Sequence, residues 1–493
     1  SFNQVQDQDL IKLFDTKPRV AEIPFDSDRK LMTTVNKDGA GYLITVKGAP
    51  DQLIERVSKI EVNGKTRAFT DDDRKTLLKI NGDLAKQALR VLAFAYKTSK
   101  TVPSKMTSDA VEKDLVFAGF VAMIDPERPE VAEAVKEAKE AGIRPLMITG
   151  DHRDTAAAIA RRLGILDDNQ GDEAVIIGGD LEKMSDEEFA SKVELYSVYA
   201  RVSPEHKVRI VNAWQKKGKI VAMTGDGVND APALKTADIG IAMGITGTEV
   251  SKGASDMVLA DDNFATIVNA VEEGRTVFAN IQKALQYLLS SNFAEVFTLF
   301  VMTMLGWELF APIMILWINL VTDTFPAIAL GLEKAEPGIM KRAPRAKDSS
   351  FLSGGVGAAI IWQGMLQGVI VLATYLYALK FPEHSGDTQM HADALTMAFM
   401  TLGLMQLFNA FNVKSVYGSL FTIKPFSNKW FNWAILGSLL SMMAVVLIPG
   451  LNGVFHVAHL DTHQWLVVGI AAFSIIVFVE IVKLIQRKVF SKK

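Results

Sequence analysis

Met223-Thr224-Gly225-Asp226-Gly227-Val228-Asn229-Asp230-Ala231-Pro232-Ala233-Leu234 places two carboxylates and an amide in a glycine-bent loop directly after the apolar run Lys219 to Met223. That run reads as a buried parallel strand, and in open α/β sheets ligands bind where loops leave the carboxyl ends of the strands. Asp226 and Asp230 offer the hard oxygens that Mg2+ takes, while Gly225 and Gly227 let a phosphoryl group come close to the backbone. A lone Gly-Asp-Gly would mark no more than a turn.

Upstream, a second strand, Arg144 to Ile148, ends in the similar loop Thr149-Gly150-Asp151. Between the two loops lies Ala200-Arg201-Val202-Ser203-Pro204-Glu205-His206-Lys207, with Ser203 as helix N-cap and Pro204 in the first helical position. A hydroxyl, a lysine and paired carboxylates around one point suffice to bind a phosphoryl group, neutralise its charge and hold Mg2+. Strands and helices alternate from about 113 to 275, starting with the strand Leu115 to Met123, which predicts a doubly wound parallel sheet. Residues 1 to 112 mix short strands with helices and form a smaller α/β domain.

The remainder, 276–493, is of another kind. Net charge is −3 and mean hydropathy +0.18 over 493 residues, averages that conceal a charged first half and an apolar second half. Six apolar runs are each near the 20 residues a bilayer span needs, at roughly 280–305, 311–332, 355–380, 393–412, 430–450 and 465–486. Lys and Arg collect in alternate loops (Lys334 to Lys347, Lys414 to Lys429) and in the tail from Lys483, which predicts that these and the soluble half are cytoplasmic. The basic tail is also suited to anionic lipid. With no cysteine, disulfides and thiolate metal sites are excluded, and the near-neutral charge argues against a nucleic-acid partner.

Polar side chains inside spans are costly and therefore candidates for function. The first span carries Asn292 and Glu295, three residues apart on one helical face; the second carries Asn319, Thr322 and Asp323, followed by Pro326; the fourth carries Gln406. Pro326 is expected to loosen its helix and to free carbonyls towards a cavity. Together these groups make an all-oxygen cage suited to Ca2+, not to soft metals.

The twelve-residue string from Met223 resembles the hinge motif of the P-type cation-transporting ATPases, and the Thr149, Lys207 and Asp226 constellation resembles their haloacid dehalogenase-like core. The resemblance implies that Thr149 and Lys207 contact the phosphoryl group, that Asp226 holds Mg2+ and that Asn229 and Asp230 close the hinge. Gly150, Asp151 and Arg201 would help to dock the nucleotide. Pro24-Phe25-Asp26-Ser27-Asp28-Arg29-Lys30-Leu31-Met32 and Val46-Lys47-Gly48-Ala49-Pro50-Asp51 look like the family's ATP-binding strands. There Phe25 can stack on adenine, Lys30 and Lys47 can line the pocket, Gly48 permits close approach and Arg90 can pair with phosphates. Asn319-Leu320-Val321-Thr322-Asp323 resembles the calcium-pump branch, although Gln406 stands where many such pumps place a glutamate, which leaves the ion count open and gives Glu295 a possible proton-carrying role.

The family phosphorylates the aspartate of an Asp-Lys-Thr-Gly-Thr motif, and no such string occurs here. The expectation is therefore a C-terminal fragment of a monomeric calcium pump, inactive alone, with an open sheet edge where the nucleophile's strand belongs and the pump's N-terminal half as its partner. Its ligands are ATP, Mg2+ and transported Ca2+, and its setting a bacterial plasma membrane. The alternatives are a pump for Mn2+ or Na+ and an inactive regulatory membrane fragment.

Overall fold

The computed structural model describes residues 15–26, 29–85, 87, 89–123, 127–167, 169–347, 349–382, 387–415 and 418–490. Ser27 and Asp28, quoted above, and His384 lie outside them. The chain packs as two units, Ser1–Thr266 and Ile267–Lys493.

In the first unit, seven strands form one mixed sheet: β1 (Arg19–Ile23), β2 (Leu31–Asp38), β3 (Gly41–Gly48), β4 (Val57–Val62), β5 (Lys65–Ala68), β6 (Arg90–Ser99) and β7 (Leu115–Met123). Their order is β1-β2-β3-β6-β7-β4-β5, and only the β4–β7 pair is parallel. Strict alternation puts Leu31, Val46, Ala93, Ala95 and Leu115 on the buried face, packed on Leu53 and Ile54 of the helix Pro50–Ile54. The strand Leu115–Met123, read from the sequence as the opening of the second domain, is paired here with β6 and β4. Alternation along a chain gives the order of elements but not the partners of a strand, so the first sheet runs on beyond residue 112.

The βα region holds two separate parallel sheets where a single one is expected. One is β8 (Met147–Ile148), β10 (Val198–Ala200) and β9 (Val175–Ile177), in the order β8-β10-β9; the other is β11 (Ala222–Gly225), β12 (Ile239–Met243) and β13 (Met257–Leu259). No ladder joins β8 to β11 among the described residues. Each is an edge, and the two sheets meet through side chains: Ile148 packs on the cluster of Met223, Val211, Ala233 and Leu234. The last strand of the expected pair also starts late, at Ala222 rather than Lys219. The cause is local: the Lys219 N–H closes the preceding helix on the Trp214 carbonyl, and the Val221 N–H goes to the Asp238 carboxylate at 2.9 Å.

Six helices of the described residues are long and apolar enough to cross a membrane: Phe264–Met304, Pro312–Leu330, Val356–Lys380, Gln389–Asn412, Lys429–Leu447 and Thr462–Lys488. The chain is a multi-pass membrane protein. The fourth span is the most enclosed, and its Met397, Phe399, Met400, Leu402 and Met405 are at the centre of the membrane core. Gly364 and Gly368 let the third span close on the first, since a Cβ at either would stand 2.7 Å or less from Phe293 or Phe297.

Candidate functional site

The loop after β11 is tied down by its own aspartate. Asp230 is buried, and its Oδ2 accepts the N–H groups of Asp226 at 3.2 Å and Gly227 at 3.0 Å, while Lys207 Nζ donates to Oδ1 at 2.5 Å. Burial pushes this carboxyl up, but the Lys207 hydrogen bond and the loop N–H groups outweigh it and hold Asp230 below the ordinary carboxylate range. Each oxygen thus has a protein donor, which makes Asp230 the staple of the loop. Asp226 is exposed, and its carboxylate is the one left facing out. Gly225 is needed for the same reason, since a Cβ there would stand 2.5 Å from the Cβ of Asp230. Gly225→Ala is expected to cost about 1–3 kcal/mol as overpacking, read as a lowered unfolding midpoint; an unchanged midpoint would show that the loop yields freely. The sign of the pH dependence follows from the depressed carboxyl. The pair's contribution to stability is complete above the unfolded value of about 3.9 and is lost as pH falls through the lower folded value, a dependence that Asp230→Asn should flatten.

On the neighbouring sheet the Thr149 hydroxyl donates to Asp151 Oδ2 at 3.1 Å and accepts the Asp151 N–H at 3.1 Å. The Arg201 N–H donates to the Asp151 carbonyl at 3.2 Å, so the loops after β8 and β10 are joined. Arg201 adopts a left-handed backbone, with φ 49°. Lys207 lies on the helix Pro204–Lys216, whose start is fixed by Pro204 and by the Ser203 N–H donating to His206 Nδ1 at 3.0 Å. Asn229 is exposed in the short turn before the helix Ala231–Thr236. The Thr149 hydroxyl and the Asp226 carboxylate thus follow β8 and β11, and the Lys207 ammonium comes from the helix after β10, a set that suits binding of a phosphoryl group with a divalent cation on Asp226.

In the seven-stranded sheet, Lys47 lies opposite Met32 and Phe94, and Arg90, four residues before Phe94, falls on the same face, away from the core. Phe25 is 63% exposed just before β2. Gly48 has a different reason from the one expected. A Cβ there would stand 2.2 Å from the Lys30 carbonyl, so it admits the neighbouring backbone, whose Lys30 takes a left-handed φ of 56°. Sequence reasoning missed Glu112, buried beneath this region and bonded to Arg29, Thr33, Arg56 and Ser108.

The membrane carboxylates converge as a second centre. Glu295 accepts from Asn319 Nδ2 and from Gln406 Nε2, each at 3.0 Å, and the Thr322 hydroxyl donates to Gln406 Oε1 at 2.6 Å. Asp323 is 3% exposed, and neither of its oxygens has a hydrogen-bond partner among the described residues. Asn292 stands apart: it is exposed and bonds back to the Leu288 carbonyl at 3.0 Å, because Glu295 lies at the rim of the stripe buried through Tyr287, Ser291, Ala294 and Thr298, and Asn292 falls beyond that rim. Residues Asn319–Asp323 form a π turn between the helical halves Pro312–Ile318 and Thr324–Leu330. Pro326 has no N–H to give the Thr322 carbonyl four residues back, and the Tyr287 hydroxyl takes that carbonyl at 2.5 Å. Ser438 likewise donates to the Val321 carbonyl at 2.6 Å. The freed carbonyls thus serve hydroxyls of neighbouring spans instead of facing a cavity, and Tyr287 and Ser438 were legible only as partners that such carbonyls would require.

A hydroxyl, lysine and carboxylate set on a βα core, in one chain with six membrane-length helices, defines a haloacid dehalogenase-like protein of the membrane. Three family models match it: P-type ATPase cytoplasmic domain N over residues 3–130, haloacid dehalogenase-like hydrolase over 72–235, and cation transporting ATPase C-terminus over 307–485. The chain belongs to the P-type cation-transporting ATPases. It is 45% identical over 482 residues to calcium-transporting ATPase 1 of Bacillus cereus, covering 95% of this chain and 53% of that protein. A calcium-transporting ATPase of Listeria monocytogenes is 41% identical over 99% of this chain and 54% of its own length, and one of Bacillus subtilis 44% identical over 92% and 50%. The chain spans about half the length of these curated relatives.

Proposed function

We propose that this chain supplies the ATP-binding, phosphoryl-handling and ion-binding parts of a pump that moves Ca2+ across a membrane through an aspartyl-phosphate. The observation that carries the reading is Asp323, a buried carboxylate with no hydrogen-bond partner beside Glu295, Asn319, Thr322 and Gln406. An unpaired buried carboxylate is costly, and a hard divalent cation is the ligand that would satisfy it. The carboxylate, amide and hydroxyl groups beside it can turn hard oxygens to an ion, which favours Ca2+ as the transported substrate.

In the soluble unit, Thr149 and Lys207 receive the phosphoryl group, Asp226 holds Mg2+, and Asn229 and Asp230 shape the loop. Phe25, Lys30, Lys47 and Arg90 take ATP, with Gly48 setting the strand approach beneath them and Gly150, Asp151 and Arg201 at the docking side. The edges of β8 and β11 suit one more parallel strand, bearing the aspartate to be phosphorylated. The basic loops and tail support a cytoplasmic side for the soluble unit, and the similarity to bacterial proteins supports a bacterial plasma membrane as the setting. The test is phosphoenzyme formation from labelled ATP by the full-length gene product in membranes. Micromolar Ca2+ should drive an acid-stable, hydroxylamine-labile adduct; an adduct that follows Mn2+ or Na+ and ignores Ca2+ would overturn the choice of ion.

A further inference from the structure

Glu112 has a fully buried side chain and gathers four donors from four places in the chain. Arg29 is bonded to its Oε1, and the Thr33 hydroxyl donates to the same oxygen at 2.6 Å; the Ser108 hydroxyl at 2.5 Å and Arg56 at 3.4 Å donate to Oε2. Two guanidiniums and two hydroxyls on one carboxylate tie Arg29, Thr33, Arg56 and Ser108 to a single buried point.

What Glu112 holds is the segment that carries Phe25. Arg29, with its side chain 13% exposed, uses its other nitrogen to donate to the Pro24 carbonyl at 2.8 Å, next to Phe25. The Arg29 N–H donates to Asp26 Oδ1 at 2.8 Å, and the Lys30 N–H to the Asp26 carbonyl at 2.7 Å. Lys30 has a left-handed backbone, which is unfavourable for a side chain with a Cβ and persists only where the surroundings over-determine it. Phe25 itself has little to fix it, being 63% exposed. A ring placed by its own packing would be buried; this ring is placed by backbone that leads back to one carboxylate.

We infer that Glu112 is a positioning residue for nucleotide binding: through Arg29 and the Pro24 carbonyl it presents the Phe25 ring, ready-made, to the adenine base. The inference rests on the nucleotide reading of Phe25 given above. Preorganisation of this kind contributes to affinity by removing the ordering cost of the loop at the moment of binding.

The experiment is a double-mutant cycle on the full chain in membranes, with Mg-free trinitrophenyl-ATP as the probe and Glu112→Gln and Phe25→Ala as the variants. Phe25→Ala is expected to weaken binding about tenfold, and Glu112→Gln by a similar factor, whereas Glu112→Gln added to Phe25→Ala should weaken it less than twofold further. Non-additivity is the signature of two residues acting as one. Should the two losses multiply, Glu112 has a general structural role and the inference falls. If Phe25→Ala leaves binding unchanged, the nucleotide reading itself fails, a result distinct from the first. Ser108→Ala, which removes one neutral donor and keeps both arginines, covers the event that Glu112→Gln does not fold. The same cycle is then run with it, expecting about a threefold loss that disappears in the Phe25→Ala background, and a loss that persists there overturns the inference.

Discussion

Asp323→Asn should lower the apparent calcium affinity of phosphoenzyme formation by the full-length pump about 100-fold, or ~3 kcal/mol, the order of effect seen when one member of a desolvated charge pair is removed. The same change should raise the thermal stability of the calcium-free protein. Without the ion, Asp323 is a buried carboxylate whose two oxygens have no hydrogen-bond partner among the described residues, and an amide of the same shape is cheaper to bury. The opposite signs make the pair of measurements decisive. A residue that merely packs the bundle would lose stability and leave the calcium dependence alone, so an unchanged calcium dependence would remove Asp323 from the ion site, and a fall in calcium-free stability would show that its carboxylate is satisfied without the ion.

Lys207→Ala is the second large effect. Lys207 Nζ lies 2.5 Å from Asp230 Oδ1, with side chains 22% and 7% exposed, so its removal leaves a mostly buried charge alone. The expected loss of stability is about 2–3 kcal/mol, below that of a fully buried pair because the lysine is partly screened by water. Phosphorylation from ATP should fall about 100- to 1000-fold, as when one preorganised electrostatic donor is taken from a reaction centre. Adding Asp230→Asn separates the two roles. Neutralising the orphaned carboxylate should restore most of the stability and none of the phosphorylation; recovery of both would make Lys207 a purely structural partner.

The parts of the molecule that could be read in advance were those written in local sequence. Membrane-length runs follow from hydropathy alone, and Glu295, Asn319, Thr322, Asp323 and Gln406 stood out because polar groups are rare there; hydrogen bonds join Glu295, Asn319, Thr322 and Gln406, and Asp323 lies in the same π turn as Asn319 and Thr322. Partnerships across the chain were not legible in the same way. Asp230 reads from the sequence as a hard-oxygen donor, and its role as the loop's staple shows only in its bonds to Lys207, 23 residues earlier, and to two loop N–H groups. Glu112 follows a polar stretch with no motif, and its significance depends on Arg29, 83 residues away. Leu115–Met123 has the composition of any buried strand, and only its hydrogen bonds to Arg90–Ser99 assign it to the first sheet. Asn292 shows the limit of periodicity: spacing of three puts two residues near each other on a helix, yet Glu295 lies at the rim of the buried stripe and Asn292 falls just outside it.

The proline-bearing second span is fastened sideways. Along an ordinary helix each carbonyl is held by the same chain, one turn on, so the rod keeps its own shape whatever its neighbours do. Here the Thr322 and Val321 carbonyls are held by a phenol and a hydroxyl from two other helices, Tyr287 and Ser438. The shape of the segment that carries Asp323 is therefore a shared property of three spans. Either latch is made by a side chain of a neighbouring helix, so withdrawing it would break no hydrogen bond within the rods on either side.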